Sequence, residues 1–176
     1  MKDFYRLRTM RPGEEKYLEE MLFEAIYLPE LLKKQLSRDI LLHPDLTVYY
    51  ERWGLKGDIA FVAEHTVTNE LLACAWGRLF KTDRKGFGFV NENTPEISLA
   101  VSPGYKNKGI GTKLLRIILK EYHEAGFKNV SLSVSRQNPC VDLYKREGFT
   151  LYLENEEDYL MIFDLNKLAK YDESVS

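Results

Sequence analysis

The chain has 176 residues, of which 44% are hydrophobic and 30% charged, with a formal net charge of −2. That length suits one domain able to bury roughly 70% of the surface its unfolded chain exposes, and the composition excludes disordered, collagen-like and membrane-embedded classes. No apolar run approaches the roughly 18 residues of a membrane span, no leader-like apolar stretch follows Met1, and so small a net charge does not draw the chain to nucleic acid or anionic membrane. A cytoplasmic protein without nucleic-acid or membrane partners is expected, and any anion site must be local.

Residues 4–9 alternate apolar residues with Arg6 and Arg8, the period-2 mark of a strand. Pro12 and Gly13 open a helical pattern with Leu18, Leu22 and Ile26 on one face and Glu14 and Glu15 placed to suit the dipole. Residues 29–42 read as a second helix ended by Pro44. Asp45 is positioned to cap a short third helix carrying Leu46, Tyr49, Tyr50 and Trp53, closed by Gly54. Residues 59–65 and 71–80 are β-like runs around a polar turn at 66–70, so an antiparallel hairpin is predicted. A polar, glycine-containing stretch, 81–95, is long enough to be a functional loop. Residues 96–102 form a strand and 109–125 a helix, in which Ile110, Leu114, Ile118 and Tyr122 step by four, with Leu115 and Ala125 beside them and Gly126 at the end. Strands at 130–134, 149–153 and 159–165 and a helix at 139–147 complete the pattern. A strand, a helix and a further strand in sequence make a parallel βαβ unit, whereas the hairpins are antiparallel. The fold class is therefore α/β with a mixed sheet, one domain over 1–168, and a polar tail at 169–176.

Cys74 and Cys140 are far apart, so neither a disulfide framework nor a zinc site is signalled. Cys74 reads as a small core residue. Cys140 stands near a helix start, where a thiolate could be stabilised, but a small structural residue is the simpler reading. His43, His65 and His123 show no ligand spacing, and no metal is expected.

The segment from Ser102 through Pro103, Gly104, Tyr105, Lys106, Asn107, Lys108, Gly109, Ile110, Gly111 and Thr112 joins a buried strand to an amphipathic helix. The first N–H groups of such a helix lack intrahelical partners, and the dipole adds partial positive charge. Gly109 and Gly111 let a phosphate approach the backbone, and Lys106 and Lys108 bring charge to the rim. A pyrophosphate fits; a tight strand-to-helix turn alone would use the same glycines. Gly104 and Gly109 have Walker A spacing, yet Ile110 and Gly111 stand where Lys and Ser or Thr are required. A dinucleotide fingerprint fails at Leu114, which occupies the third glycine position.

The chain resembles the GNAT superfamily of acyl-CoA-dependent N-acyltransferases. Lys106-Asn107-Lys108-Gly109-Ile110-Gly111, preceded by Val101-Ser102-Pro103, follows that family's pattern of Arg or Gln, two residues, Gly, one residue, and Gly or Ala. Lys106 departs from it by keeping the charge but losing the planar fork. Asn138, Leu143-Tyr144 and Glu147-Gly148-Phe149 match the family's late motif in order and spacing. The resemblance covers most of the chain outside residues 29–53 and 81–95. It implies a GNAT-like fold with a splayed parallel strand pair, helices on both faces, and acetyl-CoA as cosubstrate. Leu99, Ala100 and Val101 would offer backbone groups to the pantetheine amides. Lys106, Asn107, Lys108, Gly109, Ile110, Gly111 and Thr112 would hold the pyrophosphate, with Asn138 on the far side of the splay.

An alkyl ammonium of pKa ~10.4 is neutral in only about one molecule in 10³ near pH 7, so attack on a thioester gains from a base. The resemblance makes Glu96 that base, with Glu92 in reserve and a merely solvated carboxylate as the plain alternative. It makes Tyr144 the hydrogen-bond or proton donor to the departing CoA sulfur, and a half-buried helical aromatic is the plain alternative there. The acceptor would enter opposite CoA, against the early helices and the long loop, with Tyr27, Tyr49, Tyr50, Trp53, Trp76, Phe80, Phe87 and Phe89 as candidates, most of them core and about three touching substrate, and with Trp76 and Arg78 facing the cleft together. The expected reaction is acetylation of a primary amine on a small molecule or amino acid by direct attack in a ternary complex, and a homodimer is compatible with it. Acetylation of a protein N-terminus or lysine, and a non-enzymatic acyl-CoA sensor, are the competing readings.

Overall fold

The computed structural model describes residues 4–168. One seven-stranded sheet runs in the order β1-β2-β3-β4-β5-β7-β6, formed by β1 (Tyr5–Thr9), β2 (Ile59–His65), β3 (Leu71–Arg78), β4 (Glu96–Val101), β5 (Asn129–Ser135), β6 (Thr150–Glu154) and β7 (Asp158–Asp164). β4 and β5 are parallel and every other pair is antiparallel. The helices are α1 (Tyr17–Ala25), α2 (Glu30–Gln35), α3 (Pro44–Thr47), α4 (Ile110–Glu124) and α5 (Cys140–Arg146). The predicted tail, 169–176, lies outside the described residues.

β2 and β3 are near-continuous apolar runs because both sheet faces are covered. One core joins Ala73, Ala75 and Ile97 to α4, α5 and the alternate residues Val130, Leu132 and Val134 of β5. The other joins Val62, Cys74, Trp76 and Ala100 to Leu18, Met21 and Leu22 of α1. The predicted face of α4 is buried through Ile110, Leu114, Leu115, Ile118 and Tyr122, each worth ~1.5–3 kcal/mol. Ala125 falls on the exposed side. Gly126, at φ +88°, closes the helix as a left-handed cap.

The early helices differ from the periodicity. Glu14 does not serve a helix dipole: its carboxylate takes a two-pronged bond from the Arg8 guanidinium, at 2.8 and 2.7 Å, and another from the Arg11 amide. Residues 11–16 are therefore turns, and α1 starts only at Tyr17. The predicted helix at 29–42 is two pieces, α2 and a 3₁₀ turn over Arg38–Leu42, because the Ser37 hydroxyl caps the second piece by accepting from Asp39 N–H. α2 buries no side chain. Lys33 anchors it by donating to the carbonyls of Phe23 and Ile26 at the end of α1. His43, not Asp45, caps α3, its Nδ1 accepting from Asp45 N–H with Pro44 in the first turn.

Trp76 and Arg78 do not face an open cleft. Trp76 is fully buried and donates Nε1–H to the Tyr49 carbonyl. Arg78 donates to Val48 O, Glu51 O and Arg52 O and pairs with the equally buried Asp58 at 2.9 Å. Together they brace residues 48–52 against β3. Arg78→Ala strips the braces and leaves Asp58 a buried charge, so it should cost about 3 kcal/mol or more in urea unfolding. A loss under 1 kcal/mol would show that the segment holds itself.

Candidate active site

The strand-to-helix segment turns sharply between β4 and α4. β4 leads through a 3₁₀ turn at Pro103–Tyr105 to an exposed loop, and α4 begins without a side-chain cap. Asn107 (φ +60°) and Gly109 (φ +77°) are left-handed, which turns the loop into the helix start. The first-turn amides of α4 are thereby left for a ligand. A Cβ at Gly111 would meet only Val101 Cγ2 at 3.5 Å and Leu99 Cδ2 at 3.7 Å, ordinary contacts. Internal packing therefore does not demand glycine at 111. These residues fit a pyrophosphate.

The parallel pair is splayed. β4 and β5 share a single register pair, Glu96 with Ser131, joined by Ser131 N–H to Pro95 O at 2.9 Å. Beyond it Leu99, Ala100 and Val101 pair with Ala75, Cys74 and Ala73 of β3 on one side and have no strand pairing on the β5 side. An extended amide chain could complete that edge. At the foot of the splay, loop 81–95 folds over the sheet, and the Ser131 hydroxyl donates to Gly88 O at 2.6 Å.

Glu96 lies beneath this loop with only 3% of its surface exposed. Oε1 accepts from the Tyr49 hydroxyl at 2.6 Å, while Oε2 is buried without a hydrogen-bond partner. Burial pushes the Glu96 carboxyl up to about 7, against the Tyr49 hydroxyl and the nearby Gly88 amide, which favour the ionised form. A carboxylate poised there can take a proton at neutral pH. The solvated alternative does not describe it.

Glu92 is placed differently. It is exposed and accepts from Thr82 N–H and Oγ1–H, at 3.0 and 3.1 Å, with Lys81 nearby. The Thr82 bonds hold its carboxyl below the usual range and tie the two ends of the loop together.

Tyr144 is buried on α5, edge-on to Phe149 with ring centroids 5.6 Å apart. Burial raises its phenol, which stays protonated and able to donate. Asn138 Oδ1 accepts from Cys140 N–H at 2.9 Å, so its side chain organises the start of α5. Cys140 is exposed as a residue, and the partial covering of its sulfur raises the thiol against the charge of Lys106, which disfavours a thiolate. Cys74 is a core residue as read.

Of the eight candidate aromatics, Tyr49, Trp76 and Phe80 are core, in line with the expectation that most would be, and Tyr50 is committed to Leu41 O. Phe87 is exposed on the loop and stacked on Tyr49 with centroids 6.4 Å apart. The bond between Tyr49 and Glu96 was not legible: the residues stand 47 positions apart, and Tyr49 reads locally as one more helical aromatic. Among the described residues no helix is long and apolar enough to cross a membrane.

The model of the acetyltransferase (GNAT) family matches residues 23–149, and the chain belongs to that family. The fold is shared with a PaiA N-acetyltransferase from Thermoplasma acidophilum solved with coenzyme A (19% identity, 91% of this chain and 98% of that one, TM-score 0.64). It is shared too with a chimeric spermidine N-acetyltransferase from Vibrio cholerae (18%, 95% and 99%, TM-score 0.62). A third similar structure is a ribosomal-protein alanine N-acetyltransferase from Escherichia coli (16%, 92% and 94%, TM-score 0.60). Curated sequences give no significant match.

Proposed function

We propose that residues 1–168 form one acetyltransferase domain that moves an acetyl group from acetyl-CoA to the primary amine of a small molecule or amino acid. The observation that carries this reading is the buried Glu96 carboxylate at the foot of the splay, with one oxygen unpartnered. Glu96 takes the proton of the acceptor ammonium, directly or through water, and the free amine attacks the thioester carbon. As the adduct collapses the C–S bond breaks, the nitrogen sheds its second proton to water, and the departing sulfur takes up a proton with the Tyr144 hydroxyl donating to it. Leu99, Ala100 and Val101 hold the pantetheine, Lys106, Asn107, Lys108, Gly109, Ile110, Gly111 and Thr112 hold the pyrophosphate, and Asn138 borders the coenzyme.

The closed placement of Glu96 beneath residues 86–88 favours a small acceptor over a peptide lying in an open groove. Release of free thiol from acetyl-CoA across a library of amines, amino acids and peptides tests the assignment. Turnover confined to peptides would overturn the small-amine reading, and CoA binding without turnover on any acceptor would make the domain a sensor. Tyr144→Phe should lower kcat by ~10-fold or more with little change in CoA affinity. Loss of affinity with unchanged kcat would remove Tyr144 from the leaving-group role.

A further inference from the structure

We propose that Tyr49 is the positioning residue of the proposed base: its hydroxyl, itself held by the Phe87 amide, occupies Glu96 Oε1 and reserves Oε2 for the proton of the acceptor. This rests on the reading of Glu96 as base. The direction of each bond follows from the donor inventory. A backbone N–H can only donate, so the 2.7 Å contact from Phe87 N makes the Tyr49 oxygen an acceptor. The phenolic hydrogen is then free to go to Glu96 Oε1, at 2.6 Å. Neither oxygen of that pair can turn round without breaking a buried bond. Oε2, buried and unpartnered, is the remaining lone-pair site.

The arrangement is built from several directions. The Tyr49 carbonyl accepts from Trp76 Nε1, and Arg78 binds the carbonyls at 48, 51 and 52, so the backbone that carries the phenol is fixed to β3. The ring packs edge-on to Phe80 and face-to-face with Phe87. A Cβ at Gly86 would fall well inside contact distance of both Glu96 Oε2 and the Tyr49 hydroxyl. Glycine at 86 is thus what lets the loop backbone close over the pair.

The charged groups around Glu96 leave Tyr49 as the specific lever. Arg78, its partner across β3, is neutralised by Asp58. Asp158 of β7 is near enough to act on Tyr49, and it accepts from the Ser133 hydroxyl at 2.5 Å. From loop 81–95, Lys85 is turned toward the Phe89 ring, 5.7 Å from its centroid. The phenol donates to the ionised form of Glu96 and so holds its titration down, and removing that donor must move it up.

The test is Tyr49→Phe, which keeps the ring and deletes only the hydroxyl. The acidic limb of kcat/KM should shift upward by about one pH unit, lowering activity at pH 7 about fivefold and restoring most of it near pH 9. KM for acetyl-CoA should stay within about twofold, and in a Glu96→Gln background the same change should have no further effect on rate. A Tyr49→Phe enzyme with an unmoved acidic limb, or an additive loss in the double variant, overturns the proposal. If Glu96→Gln itself keeps full activity, it is the base assignment that fails. Should Tyr49→Phe not fold, proton NMR of the native chain decides the matter. A slowly exchanging downfield hydroxyl proton that moves upfield in Glu96→Gln is expected, and its absence counts against the bond.

Discussion

Glu96→Gln should lower kcat by about 10² to 10⁴ while acetyl-CoA still binds, because the proposed general base is removed and the proposed pyrophosphate site at the start of α4 is untouched. The replacement is isosteric. Its amide oxygen can still accept from Tyr49, which turns the NH₂ group to the place of Oε2, where no proton can be taken. In the native enzyme, activity should fall as the pH drops below about 7, where the carboxyl protonates, and the variant should lack that limb. The stability linkage has the opposite sense from that of an ion-paired acid. A carboxyl raised from 4.5 to about 7 binds its proton more tightly in the folded chain than in the unfolded one. Stability is therefore unaffected by this group below pH 4.5 and decreases as the pH rises to 7. Across that window the unfolding free energy of Glu96→Gln should gain about 3 kcal/mol relative to the native chain. Guanidinium melts at pH 4.5 and pH 8 measure it, and a constant difference would mean that the carboxyl is not buried as described.

At Gly111 two substitutions separate the fold from the ligand. Gly111→Ala should leave stability unchanged or raise it by about 0.5–1 kcal/mol, since the position is helical and a Cβ has ordinary neighbours in Leu99 and Val101. Gly111→Trp should abolish measurable CoA binding by filling the space before the first-turn amides. Calorimetric titration with CoA, beside a thermal melt of each variant, gives both readings. Retained affinity in the tryptophan variant would sink the pyrophosphate assignment, and a collapse of stability in the alanine variant would show that glycine serves packing instead.

What could be read from the sequence was what short segments determine. The order of strands, the parallel unit around α4 and the glycine-bearing turn at its start depend on hydrophobic period and on glycines at a junction, and these are local properties. The family follows from two motifs at fixed distance. The early helices were read less well, because Arg8 claims Glu14 and His43 claims the cap assigned to Asp45, choices made by side chains meeting in space. The same holds at the site. Glu96 stands at a strand start that the resemblance marks, but nothing near it announces burial. That burial comes from Tyr49 on one side and the backbone of residues 86–88 on the other, neither adjacent to it in sequence. Arg78 illustrates the converse: its alternation with Trp76 correctly puts both on one face, yet the face is filled by residues 48–52, so the pair became scaffolding.

The lone register pair between Glu96 and Ser131 has a mechanical meaning. Within the sheet, β1 to β4 meet β5, β7 and β6 through that one pair and diverge beyond it, while the core shared with α4 and α5 ties the two halves together. The gap is therefore held open by packing, and a coenzyme entering it would not have to pull strands apart. Glu96 stands at the closed end, where the two halves are nearest.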